Sequence, residues 1–189
     1  MRLIAVLLSA ALAACAATQE PASYLLEAAP RAQPAGPLDG PALGLREVEL
    51  PLYARRPQMA TIGPGGEVSS SDLHRWAEEP PRAASRLIAR ALSASLARPG
   101  VVEPWPPGVA PAALVDVDVD YLIGALGGEL RLGGQYRLTG VDGSGGAARP
   151  FDMREPVAGE TYGALAAAHG RALDALADLV AADLVAAGL

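Results

Sequence analysis

The sequence predicts an α/β domain: a small, mostly antiparallel sheet with two long helices packed on one face. Three observations carry that expectation. Val115, Val117, Val119 and Tyr121 alternate with Asp116, Asp118 and Asp120, the period of a half-buried strand. Gly127-Gly128 then makes a turn, beyond which Leu130, Leu132, Tyr136 and Leu138 continue the apolar face and Arg131, Gln135 and Arg137 share the other. Two long stretches instead space their apolar residues by three and four, the helical period.

In chain order, residues 1–14 read as a lipoprotein signal peptide. Arg2 supplies a positive charge, and Leu3 to Leu12 is an apolar run too short to span a bilayer. It ends in Leu12-Ala13-Ala14-Cys15, a lipobox, and the chain's single cysteine stands there as the expected acyl-attachment site. Several acyl chains, each buried methylene contributing about 0.8 kcal/mol, make such an anchor effectively permanent. Ala16 after the cysteine, by analogy with enteric lipoproteins, favours the outer membrane. Residues 15–42 read as a lipidated N-terminus and proline-rich linker with a short strand near 23–27, and residues 43–189 as one domain.

Within that domain, Leu43 to Leu50 alternates imperfectly and reads as a strand. The run Val48 to Tyr53, the proline corner Arg55-Arg56-Pro57, the piece Met59 to Ile62 and the turn Gly63-Pro64-Gly65-Gly66 together read as a hairpin. Ser69-Ser70-Ser71-Asp72 offers helix caps, so a helix is expected over 72–97, kinked at Pro80-Pro81, with Leu73, Trp76 and Leu87 inward. Ala84, Leu87, Ile88, Ala91, Leu92 and Ser95 form its stripe, and Arg82, Arg86, Arg90 and Arg98 a solvated basic face. Trp105, set among Pro104, Pro106 and Pro107, is expected to plug the edge of the core. A short last strand over 147–153 and an alanine-rich helix over 161–187 close the chain. Leu165, Leu173, Leu176, Leu179, Val180 and Leu184 are expected inside that helix, with Asp174, Asp178 and Asp183 outward.

Three linked motifs resemble the PqiC family of ABC-type and MCE-type transport auxiliary lipoproteins. They are Pro51 and Tyr53 of Leu-Pro-x-Tyr, Arg56, Pro57 and Gln58 of Arg-Arg-Pro-Gln, and Arg75, Trp76, Ala77 and Glu78 of Arg-Trp-Ala-Glu. The valine–aspartate strand, the Gly-Gly turn and a Pro-Trp at Trp105 extend the likeness over nearly all the mature chain. Two departures, Leu122-Ile123-Gly124 and Tyr136, stand where the family more often has Phe-Asp-Gly and Trp. The resemblance implies an outer-membrane-anchored lipoprotein facing the periplasm, with an MCE-domain protein and its inner-membrane transport partner as partners. It extends to homo-oligomers, mediated by a sheet edge or the arginine-rich helix face.

Chemistry is sparse. His74 and His169 have no carboxylate or serine at a recognisable spacing, and the chain lacks a Gly-x-Ser-x-Gly elbow, a phosphate loop and Cys/His metal spacing. Neither enzyme activity nor a cofactor nor a metal is expected. Three aspartates at spacing two invite calcium, but alternate strand residues lie about 7 Å apart, so cross-strand pairing with the arginines of the next strand is favoured. Glu78 with Arg56 is a candidate buried ion pair beneath Trp76. A net charge of −6 without basic clusters argues against nucleic acid. Two other readings remain open: a periplasmic module holding a hydrophobic ligand, and a purely structural envelope lipoprotein.

Overall fold

The computed structural model describes residues 20–28, 30, 31, 38 and 40–189; Cys15 and the signal peptide lie outside them. The elements are strands β1 (Ala22–Tyr24), β2 (Leu43–Leu45), β3 (Gln58–Ile62) and β4 (Val68–Trp76), then helix α1 (Pro80–Leu96). Strands β5 (Gly100–Val102), β6 (Ala113–Gly124), β7 (Glu129–Gly140) and β8 (Arg149–Pro156) follow, and helix α2 (Tyr162–Ala187) closes the fold. The α/β expectation holds, but the sheet is mixed: β6–β7, β7–β8 and β3–β4 are antiparallel, and β1–β4, β2–β5, β2–β6 and β3–β6 are parallel.

β6 organises the sheet. One edge takes the whole of β7. The other takes, in succession, β2 at Ala113–Val115, an isolated bridge from Glu49 to Asp118, and β3 at Gly124. β5 extends the sheet beyond β2, whereas β4 and then β1 extend it beyond β3. The alternation seen in sequence is real, with Val115, Val117 and Val119 buried. It breaks at Asp120, where the register slips by one residue. That bulge turns Tyr121 outward to 48 % exposure, against the expectation, and swings Leu122 inward. Gly134 makes the close approach possible, since a Cβ there would fall 2.2 Å from the carbonyl oxygen of Asp118. Asp116 faces Arg137 and Asp118 faces Gln135 across the ladder, as expected for the hairpin. The ionic partners differ from those expected: Asp116 pairs with Arg46, and Arg131 pairs with Asp152 of β8 while lying over the Tyr121 ring.

The segment 68–76, expected to open a helix, is the strand β4. It pairs with β3 on one side and, at His74–Trp76, with β1 on the other, so the Ser69-Ser70-Ser71 run is ladder, not cap. Pro80 and Pro81 do not kink a helix; they start one, at the positions where the missing amide proton costs nothing. The hairpin partner of β3 is therefore β4, and Leu50 to Tyr53 runs off the sheet into a turn whose Ala54 and Arg55 amides donate to the Pro51 carbonyl.

Both helices lay their apolar faces on one core. Ala84, Leu87, Ile88, Ala91 and Leu92 of α1 and Leu165, Leu173, Leu176, Val180 and Leu184 of α2 are buried with Leu43, Leu45, Met59, Leu130, Leu132 and Tyr136 of the sheet. Leu179 is an exception at 36 % exposure. Thr161 caps α2 by accepting from the Ala164 amide, and Gly188 ends it in the left-handed conformation. The three aspartates of α2 are engaged. Asp183 accepts from Tyr136 and pairs with Arg149, while Asp174 and Asp178 hold Arg31. Burial and then the Asp183 contact push the Tyr136 hydroxyl up to about 12.

Candidate functional site

The motif residues converge where β3, β4 and the start of α1 meet. The Trp76 amide donates to the Pro57 carbonyl at 2.7 Å, Gln58 stands opposite Arg75 in the ladder, and the Ala77 amide donates to the Tyr24 carbonyl at 2.8 Å. Two sequence motifs are thus stitched into one edge by backbone bonds. The third is tied to β6 instead: the Tyr53 hydroxyl accepts from the Leu122 amide at 3.2 Å, is pushed up in pKa chiefly by burial, and lines with Trp76 the small space beneath that ring.

Between these segments opens a groove of about 750 Å³, lined by Glu47, Glu49, Arg55, Pro57, Trp76 and the 77–81 segment with Glu78 and Glu79. Each wall is held for a physical reason. The buried Ser85 hydroxyl donates to the Pro81 carbonyl and accepts from the Val48 amide at 2.9 Å, fixing the first acidic wall to α1. Glu49 is fixed by its backbone, which donates to Val117 and accepts from Val119. Arg55, the groove's one cation, spends its guanidinium on the Leu50 carbonyl at 2.8 and 3.1 Å. Four carboxylates over an aromatic and proline floor therefore give the groove a net negative rim.

Trp76 is half-buried and lies edge-on to His169 at 5.1 Å between centroids. His169 is fully enclosed; its Nδ1 meets the Leu165 carbonyl at 2.8 Å, and burial lowers its pKa to about 4, so the ring is neutral. Beneath Trp76 the packing leaves a space of only about 10 Å³, bounded by Leu26, Tyr53, Leu122 and His169, room for one water at most.

The expected Glu78–Arg56 pair is not formed. Arg56 is exposed, and Glu78 pairs with Arg86 of α1, about one and a half turns past the proline start. Pro51 is half-buried at the turn and Pro57 is exposed on the groove wall. Arg75 is half-buried, with its Nε enclosed and without a partner among the described residues. Trp105 belongs to neither groove nor core. It stays half-buried in the loop after β5, at the opposite edge of the sheet from β4. Sequence reasoning missed Glu47, Glu49 and Arg55 as wall residues, and His169 as the support of Trp76. The only sequence signal was the shared parity of the two glutamates. His74, beside the motif, accepts or donates at Tyr24 (3.0 Å) and stacks on Tyr162 at 4.0 Å, a packing role between β1 and α2.

A family model described as the ABC-type transport auxiliary lipoprotein component matches residues 24–181, the span from β1 through most of α2. The chain belongs to this family. The PqiC-type resemblance carried by the motifs is thereby borne out, and with it an accessory role in transport in the cell envelope. No curated protein matches the chain. Among solved structures, an uncharacterized protein superposes with a TM-score of 0.71 at 17 % identity, over 87 % of this chain and 99 % of the other. The protein XCC0632 from Xanthomonas campestris gives a TM-score of 0.61 at 18 % identity, over 90 % of this chain and 95 % of that one. At such identities the likeness is one of fold.

Proposed function

We propose that this auxiliary lipoprotein is a non-enzymatic subunit held at the outer membrane by acyl chains on Cys15. In this reading it docks an MCE-domain protein, and through it an inner-membrane transporter, to move lipids or other hydrophobic molecules across the periplasm. The observation that carries the reading is the family match over 24–181. The lipobox ending at Cys15 supports the anchor, and the acidic groove supports a docking role over an internal ligand. A groove with an aromatic floor and a carboxylate rim suits a basic segment of a partner protein. The space beneath Trp76 is too small for an acyl chain.

The test is affinity purification of the full-length tagged protein from mildly solubilised envelopes, with mass spectrometry of what accompanies it. An MCE-domain protein in stoichiometric yield is the expected result. Recovery of the lipoprotein alone, even after crosslinking, would sink the docking reading.

A further inference from the structure

β1 enters the fold in one direction only. It runs parallel to β4, with Ala22 opposite His74 and Tyr24 opposite Trp76. Going back from Ala22 along that ladder leads past Leu73 and Asp72 towards Val68 and the Gly63–Glu67 turn. Glu20 and Pro21, the first described residues on that path, are both exposed. Cys15 stands seven steps along the chain from Ala22, about 24 Å at full extension. The span from His74 back to Glu67 is also seven residues, about 23 Å as strand. The leader thus has the reach to bring its cysteine level with the hairpin turn and no further.

The turn is small and carries one charge, that of the exposed Glu67. It is Gly-Pro-Gly-Gly, closed by Gly63 donating to the Glu67 carbonyl at 2.9 Å, and its flank Val68 is 49 % exposed. β3 pairs with β6 only at Gly124, so the β3–β4 turn stands at the end of the sheet where residues 125–128 turn β6 into β7, while the groove lies at the far end of β4, about 26 Å away.

We propose that the β3–β4 turn is the lipid-facing tip of the domain, resting at the headgroups beside the anchor and presenting the groove away from the bilayer. This rests on the acyl anchor at Cys15 proposed above. The occupant of the surface is the lipid headgroup layer.

The test uses full-length acylated protein in vesicles of phosphatidylethanolamine and phosphatidylglycerol carrying a headgroup nitroxide quencher. A fluorophore is placed on Gly65→Cys at the turn or on Ser144→Cys in the loop at the opposite end of the sheet; acylated Cys15 takes no label. The expected result is quenching at position 65 at least several-fold stronger than at 144. Equal quenching at both sites, or stronger quenching at 144, would overturn the orientation alone. Vesicle flotation separates the two ideas. If the wild-type chain fails to float and its Cys15 thiol is free, the anchor reading falls and takes the orientation with it.

Discussion

Trp76 and His169 make one unit from two distant parts of the chain, the ring of one resting edge-on against the ring of the other. Replacing Trp76 with alanine removes a half-buried aromatic from the floor of the groove and the lid of the core. The expected cost is about 2–4 kcal/mol, read from the urea midpoint; a near-native midpoint would show that the ring carries little packing. His169 predicts a pH dependence. Its folded pKa, about 4, lies below the ordinary value of 6.5, so the unfolded chain binds the proton more readily. Stability is therefore complete above pH 6.5 and is lost as pH falls from there towards 4. The total is about 3 kcal/mol at 1.36 kcal/mol per unit. Denaturant titrations at pH 7 and 4.5 should show this loss in the wild type and a smaller one in His169→Gln. Little of this was legible in the sequence, where both histidines stand without partners nearby. Their partners, Trp76 for one and Tyr24 and Tyr162 for the other, are supplied by the packing of β1, β4 and α2.

At the scale of elements, the leader segment is bound to the helices at two points. Leu26 is buried in the core, and Arg31 forks onto Asp174 and Asp178 of α2 with a further bond to Ser95 of α1. Between them the chain passes so close to α2 that a Cβ on Gly170 would fall 1.7 Å from the Glu27 carbonyl oxygen. Gly170→Ala is therefore expected to lift the leader off the helix although alanine is the better helix former. Faster amide exchange or proteolysis over residues 24–28, with a Tm several degrees lower, would report it; an unchanged exchange rate would mean the leader can shift at no cost. The helices and the β6–β7 hairpin were legible because each buries one face and so writes its period into the sequence. β4 was not, for residues 68–73 are largely exposed and have a partner strand on one side only, and serines with an aspartate also form good caps. With no apolar stripe to arbitrate, the capping residues pointed to the wrong element. The bulge at Asp120 was equally hidden, because its cause, the side-chain-free approach of Gly134, lies on the neighbouring strand.

Across the whole molecule, two motifs separated in sequence, Arg-Arg-Pro-Gln and Arg-Trp-Ala-Glu, meet at one groove, and the charge of its rim gives a direct prediction. Glu49→Lys with Glu79→Lys reverses two exposed carboxylates that make no described side-chain bond, so the Tm should stay within a degree or two. Co-purification of the partner should fall roughly tenfold, equivalent to about 1.4 kcal/mol, and wild-type recovery should itself weaken as salt rises. Undiminished recovery in the double variant would move the docking surface elsewhere. The parallel pairings that shape the sheet could not be read from the sequence, since no local pattern tells a strand which distant segment it will lie beside.

Those pairings also set the order in which the chain can assemble. β2 depends on β5 and β6, the Glu49 bridge on β6, and β1 on β4, so each early segment finds its neighbour only after a much longer piece of chain has followed it. A chain delivered from its N-terminus must hold Leu43 and Leu45 without a strand partner until residues 100–102 and then 113–115 arrive. These apolar side chains are thus without their strand partners for a long part of synthesis. That interval is when a holding chaperone would matter most to the yield of folded protein.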